Sequence, residues 1–181
     1  MDFPESFNMA DYFLYHNLEE GLENKNCLYF DNQSFTYGEA VRMSNRVGNA
    51  LRMLGVRIED RVLIVLPDCP EFVWTWFGAA RIGAVITMVN PLLPADDYRY
   101  YLKYTRARAA IVHEAFLKPF AEAAGDAEYL RSVLVVRSEE ALDAETIDSH
   151  SRIKSFSFAE VVASQSTACK GADTHRDDIA I

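Results

Sequence analysis

Residues 61–91 read RVLIVLPDCPEFVWTWFGAARIGAVITMVNP. An apolar run at 62–66 is followed by a longer helix-like stretch at 71–82 and by a second short apolar run at 85–89. Pro70 suits the start of a helix, because the first helical position needs no backbone N–H. Short runs that are apolar throughout are typical of parallel strands buried on both faces. The stretch therefore predicts a strand–helix–strand unit of an α/β fold.

The same alternation continues on the carboxyl-terminal side of this stretch. A helix is predicted over 96–103, a strand over 109–113, a helix over 115–124 and a strand over 133–136. Strands that alternate with helices in this way form a sheet with helices packed on each face. The fold class that we predict is α/β, with a largely parallel sheet flanked by helices.

The residues before this stretch predict an amphipathic helix with clear ends. Thr36 is followed three residues later by Glu39, which is the spacing of a capping box at a helix start. Gly55 supplies the left-handed residue at which the helix ends. Further upstream, apolar patterning predicts a short helix over 9–18 and a hairpin of 27–30 with 33–35.

Two of the predicted helices carry aromatic faces. On the helix over 71–82, helical spacing predicts a core stripe of Phe72, Val73, Trp76, Phe77 and Ala80. Trp74 lies off that stripe and packs either against a neighbouring subdomain or over a neighbouring helix. The helix over 96–103, together with the residue after it, carries an aromatic face formed by Tyr98, Tyr101, Leu102 and Tyr104. We expect both faces to make core or subdomain contacts and not to stack on a ligand.

Composition excludes several classes of protein. The chain has 181 residues, half of them apolar, and a net charge of −9, which favours a globular domain and disfavours a nucleic-acid surface. No apolar run approaches the roughly 20 residues of a membrane span, and the first residues lack the pattern of a signal peptide. Cys27, Cys69 and Cys169 are far apart, so neither a zinc site nor a disulfide framework is predicted. These features together predict a cytoplasmic protein.

Motifs that carry chemistry are absent from the sequence. It has no G-x-G-x-x-G, no G-x-x-x-x-G-K-[ST] and no G-x-S-x-G, so it encodes neither a dinucleotide site, a Walker loop nor a nucleophile elbow. His113 follows a predicted strand, where active-site residues gather in open sheets, although a histidine at the edge of the core is the favoured interpretation. The acidic residues Glu139, Glu140, Asp143 and Glu145 are interpreted as a solvated face without a metal. We assign no catalytic, cofactor-binding or metal-binding residue.

Three segments carry a resemblance to a known family. Residues 35–39, 59–72 and 78–91 resemble, in order and spacing, the start of the adenylate-forming (AMP-binding) enzymes. That superfamily comprises acyl-CoA and aryl-CoA synthetases, adenylation domains of peptide synthetases and luciferases. Residues 89–102 together with 105–108 are similar to the benzoate-CoA ligase branch. The resemblance covers essentially the whole chain.

The resemblance implies a two-step ligase that uses ATP, magnesium and CoA. A small aromatic or aliphatic carboxylic acid attacks the α-phosphorus of ATP to give acyl-AMP, and the CoA thiol then displaces AMP. The family's catalytic groups lie further along, so none is carried over to this chain. The segment 90–93 is interpreted as a structural turn, with a border of the CoA or acyl tunnel as the alternative.

The resemblance also implies a division of the chain. Residues 1–137 are expected to form the first part of an incomplete large domain, and 138–178 an acidic connector with one short helix over 153–163. Residues 179–181 resemble the start of the strand before the family's phosphate loop. We expect the chain to be an inactive amino-terminal fragment that needs the remainder of the same enzyme. The alternatives are a fragment of an enzyme that loads a carrier protein, and a non-catalytic module that pairs with another chain.

Overall fold

Five strands form one parallel sheet in a computed structural model that describes residues 3–137 and 152–180. The strands of this sheet are β3 (Arg61–Val65), β4 (Val85–Met88), β5 (Ala109–His113), β6 (Ser132–Val136) and β7 (Lys154–Ser157). Their order across the sheet is β4-β3-β5-β6-β7, and each neighbouring pair is parallel. The predicted fold class is confirmed.

Helices cover both faces of the sheet. The helices are α1 (His16–Glu19, preceded by a π-helical segment Asp11–Tyr15), α2 (Tyr37–Met53), α3 (Pro70–Arg81), α4 (Ala95–Thr105), α5 (Leu117–Ala124, preceded by a 3₁₀ turn Glu114–Phe116) and α6 (Phe158–Ala163). Alternate strand residues face opposite layers: Ile64 and Ile111 pack with α2, α3 and α6, whereas Val65 and Val112 pack with α4 and α5. The strands are therefore buried on both sides, as their apolar composition predicts.

A small antiparallel hairpin precedes α2. Its strands are β1 (Asn26–Phe30) and β2 (Gln33–Thr36), and Asp31 turns between them with φ 49°. The capping box of α2 is formed as predicted: Thr36 Oγ1 accepts from Glu39 N at 3.2 Å, and Glu39 Oε2 accepts from Thr36 N at 2.8 Å. Gly55 follows the helix with φ +83°. Hairpin, helix start and helix end all agree with the sequence analysis.

The core stripe predicted for α3 is correct for Ala80 and wrong for the four larger residues of the stripe. Its buried residues are Pro70, Trp74, Thr75, Gly78, Ala79 and Ala80, whereas the large side chains of Phe72, Trp76 and Phe77 are only half-buried. The reason is the close approach of α2: a Cβ on Gly78 would lie 2.8 Å from Ser44 O and 3.0 Å from Gly48 N. Only small side chains fit between the two helices, so the aromatic residues lie beside the contact. Trp74 packs edge-on against Phe35, with ring centroids 5.6 Å apart.

The aromatic face of α4 is core only in part. Tyr98 and Leu102 are buried as predicted, but Tyr104 is 74% exposed and stacks on Tyr100 with centroids 5.7 Å apart. Because α4 lies at the surface of its layer, one side of the helix meets the sheet and the other faces solvent.

The short helix predicted over 153–163 is helical only in its second half. Lys154–Ser157 forms strand β7 and pairs with β6, and Phe158–Ala163 forms α6 with Ser157 as its N-cap. The acidic residues Glu139, Glu140, Asp143 and Glu145 lie outside the described residues. The division of the chain at residue 138 stays a prediction.

The segment 164–180 returns to the layer of α2 and α3. Asn8, in the amino-terminal segment, joins three parts of the chain: its Nδ2 donates to Ala80 O, Arg81 O and Ala172 O at 3.2–3.3 Å. Arg81 pairs with Asp11, lies 4.2 Å above the ring of Tyr15 and donates to Cys169 O. These contacts connect both ends of the described chain to the end of α3.

None of the helices within 3–137 and 152–180 combines the length and apolar composition needed to cross a membrane. Cys27, Cys69 and Cys169 are all free thiols.

Candidate functional site

The strand order places a candidate site at the carboxyl ends of β3 and β5. The chain first leaves β3 through α3 to β4 on one side, and later returns to the other side of β3 with β5. Such a reversal opens a crevice at the carboxyl edge, and open α/β sheets bind their ligands there. Three of the connections at this edge lie beside the crevice: 66–69 after β3, 89–94 after β4, and 114–116 after β5.

The connection after β3 carries a carboxylate and a thiol. Asp68 is exposed, and Cys69 is the half-buried residue before the first turn of α3. Burial raises the pKa of the Cys69 thiol to about 12. Because a thiol of such high pKa is protonated at neutral pH, Cys69 is not prepared to act as a nucleophile.

His113 ends β5 at the same edge. Its Nδ1 accepts from Ala115 N at 3.2 Å, so it caps the following 3₁₀ turn, and its ring lies 6.0 Å from that of Phe116. A neutral ring that accepts at Nδ1 carries its proton on Nε2. The geometry explains His113 as a structural residue, which agrees with the favoured interpretation from the sequence.

The connection after β4 forms a pinned turn. Asn90 Oδ1 accepts from Leu92 N at 3.0 Å, and the buried Tyr98 donates from its hydroxyl to Pro91 O at 2.6 Å. Burial raises the pKa of Tyr98 to about 12, so the phenol is neutral and remains a donor at physiological pH. Leu92 is exposed at the tip of the turn. The sequence analysis identified the turn but missed Tyr98 as its anchor.

His113 and the turn at 90–93 share one edge but do not meet, because β3 lies between β4 and β5. Neighbouring strands are about 4.8 Å apart, so the two connections face each other across the end of β3. The described residues hold no group of three or more His, Cys, Asp or Glu side chains placed to bind a metal ion. What this edge can do is position loops around a ligand that other groups activate.

The sequence matches known proteins over nearly its whole length. Residues 16–181 match the family described as AMP-binding enzyme. The 4-hydroxybenzoate–CoA/benzoate–CoA ligase of Rhodopseudomonas palustris is 37% identical over 130 residues, which cover 72% of this chain and 24% of that protein. The benzoate–CoA ligase of Thauera aromatica is 38% identical over 133 residues, covering 73% of this chain and 25% of that protein. The chain thus spans about a quarter of the length of these relatives.

The fold matches a solved structure of the same kind. The anthranilate CoA ligase AuaEII, solved in complex with anthranoyl-AMP, superposes with a TM-score of 0.86 and 31% sequence identity. The superposition covers 99% of this chain and 32% of that one. The resemblance noted on residues 35–39, 59–72 and 78–91 is confirmed, and this chain belongs to the AMP-binding enzyme family.

Proposed function

We propose that this chain forms the amino-terminal scaffold of an ATP-dependent carboxylate–CoA ligase that acts on small aromatic acids. The observation that carries the proposal is the superposition of 99% of the chain on an anthranilate CoA ligase at 31% identity. Its curated relatives act on benzoate and hydroxybenzoates, as their names state.

The proposed reaction has two nucleophilic substitution steps, and neither changes an oxidation state. A carboxylate oxygen attacks the α-phosphorus of ATP and releases pyrophosphate, which leaves acyl-AMP. The CoA thiol then attacks the acyl carbon, loses its proton and releases AMP. Magnesium neutralises phosphate charge in such reactions, but the described residues present no ligand cluster for it, so we assign it no residue here.

In this proposal the described residues contribute position and not chemistry. Two carboxyl-edge connections are fixed, one by the Tyr98–Pro91 hydrogen bond and one by the cap of His113. Rigid positioning of bound groups supplies a large share of catalysis in reactions of this type. Because the described residues position groups without activating them, we propose that residues 1–181 alone do not form acyl-AMP.

The end of the described chain supports the proposal that a strand begins at 179–181. Ile86, in β4, donates its backbone N–H to Ala180 O at 2.8 Å on the free side of β4. Thr174 lies beside Gly83 and Ala180 beside Ile86, so the segment advances in the same direction as β4. A parallel strand added there has its carboxyl end at the candidate site, where the phosphate loop of the resemblance is expected.

The experiment is an acid screen with two proteins. The 181-residue chain and a protein extended to the full length of the relatives are each incubated with ATP, magnesium and CoA, and pyrophosphate and AMP are measured. Benzoate, 4-hydroxybenzoate and anthranilate are compared with octanoate. We expect acid-dependent release from the extended protein with the aromatic acids and none from the 181-residue chain.

Two results would contradict this function. Pyrophosphate release by the 181-residue chain above a mock preparation would show that it carries catalytic groups. Acyl transfer by the extended protein to a phosphopantetheinyl carrier protein, but not to CoA, would favour an enzyme that loads a carrier. A cytoplasmic location stays a prediction.

A further inference from the structure

The strand that begins at 179 is held by little apolar burial. Ala180 O accepts from Ile86 N at 2.8 Å, and this hydrogen bond joins the strand to β4. The five residues before Ala180 are exposed, and the side chain of Ile179 is 71% exposed. Segments with so few buried apolar contacts belong to the least stable parts of a fold. The position of this strand therefore depends on hydrogen bonds that the residues before it make.

The amino-terminal residues 5–7 supply those hydrogen bonds, and we call them the amino-terminal brace. They lie antiparallel to the chain just before the strand. Phe7 N donates to Thr174 O at 2.8 Å, and the Thr174 hydroxyl donates back to Phe7 O at 2.7 Å. One step further along, Arg176 N donates to Glu5 O at 3.1 Å. Three hydrogen bonds thus connect the brace to the residues that lead into the strand.

The brace is fixed to the end of α3. Asn8, the residue after the brace, donates from Nδ2 to Ala80 O at 3.3 Å and to Arg81 O at 3.2 Å. Ala172 N donates to the same Arg81 O at 2.8 Å. Because α3 leads directly into β4, the brace and β4 are both attached at this point. The brace therefore fixes the residues before the strand relative to β4.

Thr174 joins the brace to the turn before β4. Its hydroxyl lies on the brace, while its methyl group lies on Gly83, where an added Cβ would be 3.1 Å from Thr174 Cγ2. Gly83 has φ +73°, a conformation that favours glycine. One side chain thus contacts both the amino-terminal segment and the start of β4, and its two contacts can be removed separately.

We propose that Thr174 is a positioning residue, which holds the strand at 179–180 against β4 through its hydroxyl bond to the amino-terminal brace. Through this strand it positions the phosphate loop that the resemblance places beyond it. Loss of the hydroxyl lets residues 174–180 leave β4 while the five-stranded sheet stays closed. The effect on ATP rests on the proposed function, whereas the position of the strand is tested without catalysis.

Hydrogen exchange in the 181-residue chain tests the position of the strand. Ile86 N–H donates to Ala180 O, whereas Val85 N–H donates to Asp60 O at 2.9 Å on the β3 side. Thr174→Val keeps the shape of the side chain without its hydroxyl. We expect it to speed exchange at Ile86 about five- to tenfold and to leave Val85 unchanged, because one hydrogen bond of the opening segment is lost. Thr174→Ser retains the hydroxyl and should exchange like the parent.

Thr105→Val is the matched control. Thr105 is half-buried like Thr174, and its Oγ1 also donates to a carbonyl, Tyr101 O, at 2.7 Å. It lies at the end of α4 and makes no contact with the brace. We expect exchange at Ile86 in Thr105→Val to equal that of the parent.

The effect on ATP is measured as pyrophosphate release by the extended protein with benzoate. We expect Thr174→Val to lower kcat/KM for ATP about five- to tenfold and to leave the KM for benzoate unchanged, because a displaced phosphate loop holds ATP less well. Thr174→Ser should restore the parent's value. If the extended protein releases no pyrophosphate with any acid, the proposed function fails, and exchange at Ile86 alone decides whether Thr174 holds the strand.

The inference is overturned if Ile86 exchanges in Thr174→Val as it does in the parent, or if Thr105→Val speeds it equally. It is also overturned if Thr174→Ser exchanges as fast as Thr174→Val, or if the constants for ATP and benzoate change together. If circular dichroism shows that Thr174→Val does not fold, a chain that begins at Asn8 and so lacks the brace takes its place. Faster exchange at Ile86 is then expected, and exchange at the parent's rate overturns the inference.

Discussion

Two glycines, Gly48 and Gly78, set the distance between α2 and α3. A Cβ on Gly48 would lie 3.0 Å from Gly78 O, and a Cβ on Gly78 would lie 2.8 Å from Ser44 O. Both obstacles are backbone carbonyls, which cannot rotate away as a flexible side chain does. The backbones of the two helices therefore touch, and this contact determines which face of α3 is buried.

Gly78→Ala is expected to lower the free energy of unfolding by about 1–3 kcal/mol, which is the usual cost of inserting a methyl group into a packed interior. Urea denaturation monitored by circular dichroism measures it. Gly125→Ala is the matched control, because the nearest atom to its added Cβ lies 4.0 Å away and its φ of −53° suits alanine. Equal stability of Gly78→Ala and the parent would show that α2 and α3 can separate without cost.

The cap of α2 depends on one hydroxyl. Thr36→Ala removes the acceptor of Glu39 N and is expected to cost about 1 kcal/mol of stability. Thr36→Ser keeps the hydroxyl and should retain most of the parent's stability. A similar loss in both variants, measured by urea denaturation, would mean that the methyl group and not the cap is responsible.

Among the elements, the strands that are buried on both faces could be predicted from their composition. The strands β3, β5 and β6 are apolar throughout because helices cover both their faces, and that composition is visible in the sequence. Strand β7 was missed because Lys-Ser-Phe-Ser is only four residues long, contains one apolar residue and is followed at once by a helix. The buried face of α3 was missed because its partner is a glycine-lined helix, and close backbone contact selects small residues over large ones.

The connection between β4 and α4 depends on the Tyr98 hydroxyl. Removing it in Tyr98→Phe leaves Pro91 O without its donor, which is expected to cost about 1 kcal/mol and to speed hydrogen exchange at Leu92 and Leu93. Tyr104→Phe is the control, because that phenol is exposed. If exchange at the turn is unchanged in Tyr98→Phe, the turn is held by its backbone alone.

The same tyrosine makes stability depend on alkaline pH. Burial raises the pKa of Tyr98 from 10.0 to about 12, so the folded chain holds this proton more tightly than the unfolded chain does. The contribution of Tyr98 is therefore complete below pH 10 and is lost as the pH rises towards 12. We expect the free energy of unfolding to fall less steeply between pH 10 and 12 in Tyr98→Phe than in the parent. Parallel pH profiles would contradict this linkage.

At the scale of the whole molecule, Asn8 joins distant parts of the chain. Its side chain is buried, donates to three carbonyls near the end of α3 and at Ala172, and accepts from Ala10 N and Asp11 N. Asn8→Ala is expected to cost about 1–3 kcal/mol, because Ala172 O loses its donor, Ala80 O and Arg81 O each lose one of two donors, and the amides of Ala10 and Asp11 lose an acceptor.

Asn17→Ala is the control for Asn8→Ala. Asn17 also donates to two carbonyls, but both belong to the preceding turns of its own helical segment. A smaller loss of melting temperature is therefore expected for Asn17→Ala. Equal losses in the two variants would show that long-range contacts of Asn8 add nothing beyond a local hydrogen bond.

The candidate site was less predictable than the fold. The carboxyl edge follows from strand order, and strand order depends on contacts between residues far apart in sequence, such as Val62 with Ala109. The sequence analysis favoured a structural interpretation of His113 and interpreted 90–93 as a turn. The anchor Tyr98 was not identified, because a single hydroxyl–carbonyl contact leaves no periodic pattern in the sequence.

The strand order also allows the sheet to be assembled during synthesis on the ribosome. The first strand of the parallel sheet to emerge, β3, is joined by β4 on one side and by β5 on the other, and β6 and β7 then add in turn beyond β5. Each arriving strand finds a free edge, so no pair already formed has to open to admit a later one. Vectorial translation and sheet growth therefore proceed in the same order, and the outer edge of β4 stays open until Ala180 reaches it.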